Sequence, residues 1–159
     1  MPIEPNDLRR VMASFATGVT VITTHDGAGR DYGLTANALC SVSLAPPLLL
    51  VCIDKGAESY AAFGASGVFV VNVLTREQEE ISRRFAKSGG DKFAGLAFRR
   101  GATGVAVLDG ALAFLECRVA AAHDAGDHTI YVAGVETAVA AAGDPLLFFG
   151  GAYGRFTAA

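Results

Sequence analysis

Apolar residues at Leu8, Val11, Met12 and Phe15 follow the spacing i, i+3, i+4 and i+7 behind Pro5-Asn6-Asp7. The pattern predicts an amphipathic helix with an Asn or Asp N-cap that ends near Gly18. Val19 to His25 is rich in β-branched residues and runs into Asp26-Gly27-Ala28-Gly29, after which Asp31 to Asn37 resumes as extended chain. A hairpin accounts for both segments. Pro46-Pro47 opens a continuous apolar run, Leu48 to Ile53, which reads as a strand buried on both faces. Glu58 to Ala65 is a short helix candidate, Val68 to Leu74 a further buried strand, and Arg76 to Lys87 a charged helix with Ile81 and Phe85 at i, i+4. Ser88-Gly89-Gly90 ends that helix.

Two long strand-like runs, Ala111 to Ala122 and His128 to Ala141, flank Asp124-Ala125-Gly126-Asp127 and pair most simply as a long hairpin. Leu146 to Phe149 is the last strand, and Gly150-Gly151-Ala152-Tyr153-Gly154 follows it. Six or more strands linked by short turns, with two or three irregularly placed helices, do not fit regular βαβ alternation. They predict a mainly β protein, a small closed or partly split barrel with helices packed outside.

With 159 residues, 52% of them hydrophobic and 18% charged, the chain has the length of one domain, 1–159, and ample material for a core. Its mean hydropathy of +0.38 excludes intrinsic disorder. A net charge of -3 argues against a general nucleic-acid or anionic-membrane binder, which needs a basic footprint. No segment approaches the ~18 consecutive apolar residues of a membrane span. The start, Met-Pro-Ile-Glu-Pro-Asn-Asp, lacks the basic and apolar regions of a signal peptide, so the expected compartment is the cytoplasm. Cys40, Cys52 and Cys117 lie in apolar stretches without CxxC spacing and read as reduced core thiols. The high apolar fraction and 19 glycines suggest surface hidden in a dimer.

Candidate chemistry is sparse. The chain has no GxGxxG after a strand, no GxxxxGK[ST], no GxSxG and no HExxH. His123-Asp124-Ala125-Gly126-Asp127-His128 is the densest set of potential ligands, but a tight turn fans its side chains apart, so the turn reading outweighs a metal site. Thr35 to Ser43 places hydroxyl and amide groups between apolar strands, where they must be satisfied either by neighbouring backbone or by a ligand with a phosphate or planar heterocycle. Lys92, after a glycine pair, is either a phosphate counter-charge or a solvated loop residue. Arg83-Arg84 and Arg99-Arg100 read as solvated faces. Tyr153 is either an aromatic platform for a ring or a plug closing the barrel.

Several segments in order resemble the short-chain flavin reductase family, the FMN-binding split-barrel enzymes that supply reduced flavin to two-component monooxygenases. They are Phe15-Ala16-Thr17-Gly18-Val19-Thr20-Val21-Ile22-Thr23, Gly33-Leu34-Thr35-Ala36-Asn37 with Ser41-Val42-Ser43, and Pro46-Pro47-Leu48. Val71-Asn72-Val73-Leu74, Arg84-Phe85-Ala86, Asp91-Lys92-Phe93 and Gly126-Asp127-His128 continue the match.

The resemblance implies a homodimer of Greek-key split β-barrels in which the partner subunit helps to complete a flavin groove. It implies that FMN or FAD is reduced by NADH or NADPH and passed to an oxygenase component. Carried over by position, Thr35, Ala36 and Asn37 would face the polar edge of the flavin ring, and Ser41, Val42 and Ser43 the ribityl chain and phosphate. Asp54, Lys55 and Ser59 would border flavin, Lys92 and Phe93 would lie near the phosphate or dinucleotide, Tyr153 would be retained at the site, and His128 would stand by the nicotinamide. Many relatives carry arginine where this chain has Gly150 and Gly154. An arginine grip on the dinucleotide therefore does not carry over, and a non-catalytic FMN carrier of the same fold stands as the alternative.

Overall fold

A computed structural model describes residues 2–159. The chain opens with helix α1 (Pro5–Met12), then strands β1 (Thr17–Gly18), β2 (Thr20–His25), β3 (Asp31–Ala36), β4 (Leu39–Leu44) and β5 (Pro47–Asp54). Helix α2 (Tyr60–Ser66), strand β6 (Val68–Val73), a 3-10 turn (Arg76–Gln78) and helix α3 (Glu79–Phe85) follow. The rest is β: β7 (Phe98–Arg100), β8 (Ala106–Leu108), β9 (Ala113–Ala125), β10 (His128–Ala140), β11 (Leu147–Phe149) and β12 (Ala152–Gly154).

The main sheet has seven strands in the order β3-β2-β6-β9-β10-β5-β4, and its pairings are all antiparallel. Its two edges, β3 and β4, are consecutive in the chain and joined only by Asn37 and Ala38. Six strand spacings laid flat would hold those edges about 29 Å apart. From Ala36 to Leu39 the chain reaches at most about 11 Å. The sheet must therefore roll up until its edges meet at the link, while β3 and β4 form no ladder with each other. This is a split barrel, as the sequence led us to expect.

Rolling gives the sheet an inside and an outside. Ile22, Leu49, Val51, Ile53, Phe69, Val71, Cys117, Tyr131 and Ala133 fill the interior together with Phe63 of α2, whose ring lies 6.1 Å from Phe69 and 6.3 Å from Tyr131. Outside, Val21, Leu74 and Phe85 pack with Leu108 and Leu146 under α3 and the later strands. β2 and β6 are thus covered on both sides, and the polar residues they carry, Thr20, Thr23, Thr24 and Asn72, are buried with the apolar ones.

Asn72 fastens the outer layer to the barrel. Its Nδ2 donates to the Val21 carbonyl at 3.0 Å and to Thr23 Oγ1 at 3.2 Å, while its Oδ1 accepts the Leu108 N–H at 2.8 Å. Thr23 in turn donates to the Ala106 carbonyl at 2.6 Å. Glu116 on β9 does the same for the turn before β8, accepting from the backbone and hydroxyl of Thr103, each at 2.9 Å. Burial opposes ionisation of Glu116, but these donors prevail and hold its carboxyl below the usual glutamate value.

Several expectations need correction. The first helix stops at Met12, with Glu4 at its N-cap and Pro5 in its first turn, because Thr17 and Gly18 leave it to pair with β11. β5 is buried on one face only: Leu49, Val51 and Ile53 point inward while Leu48, Leu50 and Cys52 are half-buried on the outer side. Cys40 is exposed on edge strand β4, and Cys52 is half-buried. Cys117 alone is a buried core thiol, and burial beside Glu116 pushes it up to about 12. The long hairpin forms as expected, but its strands extend to Ala125 and His128, leaving Gly126 and Asp127 as the loop. β4, the β7–β8 pair and β12 had not been expected as strands. The last of these forms because Gly150 and Gly151, both at positive φ (61° and 80°), make a two-residue turn between Phe149 and Ala152.

Replacing Asn72 with Ala leaves buried carbonyl and N–H groups unpaired, and unfolding by urea should show a loss of about 2–4 kcal/mol. Glu116→Gln tests the second tie. Because the folded carboxyl is held below its unfolded value, its contribution is complete above that value and fades as pH falls through the folded one. The stability gap between wild type and Glu116→Gln should therefore be largest at neutral pH and shrink in acid; a gap independent of pH would remove the carboxylate from this role.

Candidate active site

A cavity of about 570 Å³ opens where three segments converge. Arg30 to Gly33 at the start of β3 form one wall, Glu58 and Ser59 before α2 a second, and Gly90 to Phe93 a third. Gly33 is required by close approach. A Cβ there would stand 2.6 Å from Cε1 of Phe85, so the absence of a side chain lets α3 lie against β3. Phe85 also meets Phe93 edge-on at 5.2 Å, and Phe93 meets Phe98 at 5.5 Å. The third wall is thereby anchored in the outer core.

Most charges around the cavity are already matched. Asp31 is held by both guanidinium nitrogens of Arg100, one at 2.8 Å, and the guanidinium of Arg30 stacks over the Tyr32 ring at 5.0 Å. Asp91 accepts the Phe93 N–H at 3.0 Å, and Glu58 accepts the Gly89 N–H at 3.0 Å. Lys92, only 13% exposed, has its ammonium 3.8 Å from Glu58. Ser59 is the exception: it is 3% exposed, and its Oγ is buried without a hydrogen-bond partner. A hydroxyl so placed is costly unless a ligand satisfies it. An unpaired hydroxyl and a mostly buried ammonium lining one cavity are donors of the kind a phosphate takes. With Tyr32 and Phe93 as aromatic walls, the residues fit a phosphorylated planar heterocycle, and the cavity lies in the size range of cofactor sites.

Of the residues the sequence pointed to, Ser59, Lys92 and Phe93 line this cavity. The others fall into two separate groups. At the link between the sheet edges, Thr35 donates to the Ser82 carbonyl at 2.6 Å, Asn37 Nδ2 donates to Thr17 Oγ1 at 3.1 Å, and Ser43 Oγ accepts the Ala45 N–H at 3.2 Å. The side chains of Thr35, Asn37 and Ser43 are thus bonded within the chain, and Asn37, Ser41 and Val42 are exposed while Ala36 and Ser43 are half-buried. Tyr153 belongs to the same region: its hydroxyl meets Ser82 Oγ at 2.7 Å, its ring meets Phe148 edge-on at 5.5 Å, and Arg83 covers it at 4.8 Å. Tyr153 is thus half-buried against the packing outside the barrel.

The third group, Asp54, Lys55 and His128, gathers at the tip of the β9–β10 hairpin, where His128 stands opposite Asp54 across the β10–β5 ladder. His123 pairs with Ile130 and is exposed, and among the described residues no three His, Cys, Asp or Glu side chains converge as metal ligands. Arg30, Asp31, Tyr32 and Glu58 were not singled out from the sequence. They sit beside a turn and match no motif, so only the convergence of β3 with α2 reveals them.

The molecule is thus a split barrel with a cavity beside edge strand β3 whose lining suits a phosphorylated ligand. Residues 12–157 match the flavin reductase like domain family, and the chain belongs to it. It is 45% identical over 149 residues to the FMN reductase (NADH) SmoA of Agrobacterium fabrum, covering 94% of this chain and 84% of that protein. It is 42% identical over 155 residues to the flavin-dependent monooxygenase reductase subunit HsaB of Mycobacterium tuberculosis, covering 95% and 82%. The structure of the NADH:FAD oxidoreductase SgcE6 of Streptomyces globisporus superposes with a TM-score of 0.91 at 39% identity, over 99% of this chain and 98% of that one. The protein is accordingly an enzyme, an NAD(P)H-dependent flavin reductase.

Ser59→Ala removes the unpaired hydroxyl without opening a large void. It should leave thermal stability unchanged or raise it, and weaken flavin binding about ten- to a hundredfold, as expected for one lost hydrogen bond to a charged group. Fluorescence titration of FMN against both proteins measures this; equal affinities would exclude Ser59 from the binding site.

Proposed function

We propose that this chain, acting over residues 1–159 as one flavin-binding domain, is a cytoplasmic NADH- or NADPH-dependent reductase of FMN or FAD that hands reduced flavin to a separate oxygenase. The observation that carries the binding reading is the buried, unpartnered hydroxyl of Ser59, which lines the 570 Å³ cavity together with Lys92. Ser59 and Lys92 hold the flavin phosphate, and Phe93 braces the wall between them and the outer core. A bound flavin supplies the acceptor for hydride from the dihydronicotinamide ring. The protein's own task is to hold two flat rings with reacting atoms about 3 to 3.5 Å apart, which can supply roughly 7 to 11 kcal/mol of the barrier. His128 orients the nicotinamide side.

The names of the relatives support the handover: HsaB is described as the reductase subunit of a flavin-dependent monooxygenase. Arg84 and Lys87 border a second cavity of about 430 Å³ that shares Gly90, Asp91 and Lys92 with the first. They give the phosphates of a dinucleotide a cationic neighbour in place of the arginines absent at Gly150 and Gly154.

A homodimer completes the groove. Leu8, Val11, Met12 and Phe15 form the apolar stripe of α1 and its continuation, yet they are 50%, 58%, 54% and 69% exposed. Phe149 is exposed nearby, where the Gly150 N–H donates to the Ala13 carbonyl at 2.9 Å. A second copy covering this band would bring its own surface against the exposed Asn37–Ala38 link and the Ser41–Ser43 stretch of β4, turning the Thr35–Asn37 and Ser41–Ser43 segments into flavin-facing walls.

Steady-state oxidation of NADH and NADPH, each with FMN, FAD and riboflavin, tests the assignment. Turnover with at least one pair, and riboflavin much poorer than FMN, is expected if the phosphate is gripped at Ser59 and Lys92. Equal use of riboflavin and FMN would remove the phosphate site. Light scattering should give twice the 16.4 kDa chain mass; an active monomer at every concentration would refute the shared groove.

A further inference from the structure

Lys55 resembles a flavin-bordering residue by position, yet its contacts lie elsewhere. Its ammonium donates to the Gly126 carbonyl at 2.6 Å and pairs with the Asp124 carboxylate, and its backbone N–H donates to the Asp127 carbonyl at 2.9 Å. The residue that follows β5 thus grips β9, the loop and the loop's last carbonyl. The hydrogen bond and charge of Asp124 hold the Lys55 ammonium above the usual lysine range, so it stays a cation across the working pH range.

The loop so fixed carries the Asp127–His128 pair. His128 Nδ1 lies 2.7 Å from Asp127 Oδ1. His128, through its hydrogen bond and its charge, holds the Asp127 carboxyl below the ordinary aspartate range, so Asp127 is an ionised acceptor and Nδ1 must carry the proton. In the neutral imidazole, Nε2 is then left as a lone-pair acceptor. The charged groups around this ring are Asp127 on its own loop, Asp124 on β9, Asp54 on β5, Lys55 following it, and Arg9 of α1 on the Asp127 side.

We propose that Lys55 is a positioning residue for hydride transfer: by clamping the β9–β10 loop it fixes the Asp127–His128 pair so that His128 presents Nε2 as an acceptor for the carboxamide N–H of the nicotinamide. This rests on the reading that His128 stands by the nicotinamide. It assigns Lys55 to the dinucleotide side of the reaction and takes it away from flavin contact. Two substitutions separate these roles. Lys55→Met keeps the aliphatic stem and removes the donor, whereas Lys55→Arg retains a cation able to reach Asp124 and the Gly126 carbonyl.

The direct readout is the tautomer of His128, followed by proton–nitrogen correlation spectra of the imidazoles, with His128→Gln assigning its signals among the three histidines. Above the ring's ionisation the wild type should show the Nδ1–H form, Asp127→Asn and Lys55→Met a mixture, and Lys55→Arg the wild-type form. In turnover, Lys55→Met should lower kcat/KM for NAD(P)H by about ten- to a hundredfold, the scale of a small misplacement of an orienting group, with the flavin Kd unchanged and the loss recovered in Lys55→Arg. Weakened flavin binding in Lys55→Met would make Lys55 a flavin contact and overturn the proposal, as would an unaltered tautomer with normal kinetics. Failure of the underlying reading looks different: His128→Gln would itself leave NAD(P)H kinetics at wild-type values.

Discussion

The two-residue link between β3 and β4 is the constraint on which the rest of the structure depends. Asn37 and Ala38 must join the opposite edges of a seven-stranded sheet, so the sheet cannot stay open. The link is pinned at both residues: Asn37 donates to Thr17, and the Ala38 carbonyl accepts the Cys52 N–H at 3.1 Å. Closure creates an interior that Phe63 of α2 helps to fill, and it leaves a seam where β3 and β4 part. The main cavity opens along β3, beside that seam, where no partner strand covers the edge.

The same economy appears in the polar groups. Buried amides and carboxylates in this protein tie one layer to the next: Asn72 joins β2, β6 and β8, Glu116 holds the turn before β8, and Ser82 anchors α3 to both Thr35 and Tyr153. Each has its partners. Ser59 stands apart among the described residues because its hydroxyl has none. Flavin reduction asks little else of the side chains, since the reacting atoms belong to the two nucleotides; this is why a chain with no catalytic triad and no converging metal ligands among its described residues is an enzyme.

Much of this was legible in the sequence. β2, β6 and the β9–β10 hairpin were readable because their periodicity and turn residues are local properties of the chain. Ser59, Lys92 and Phe93 were reached through family resemblance, and they do meet around one cavity. The chain alone also misled in instructive ways. Thr35 to Ser43 looked like a buried polar stretch, but half of it is an edge strand facing outward, and a strand's exposure depends on which neighbours the sheet supplies. Cys40 was misjudged for the same reason.

What the sequence determined by itself is local: where strands and turns fall, the absence of standard catalytic motifs, and a charge balance that argues against a general nucleic-acid or anionic-membrane binder. What only the tertiary structure decided is which of those local pieces touch. Lys55 and Gly126 are 71 residues apart in the chain, and Arg100 and Asp31 are 69 apart. No spacing rule connects them, because the contacts exist only after β5 pairs with β10 and the rolled sheet brings the β7–β8 turn beside β3. Local preferences act over a few residues, whereas closure of the sheet acts over the whole chain, and the site belongs to the closure.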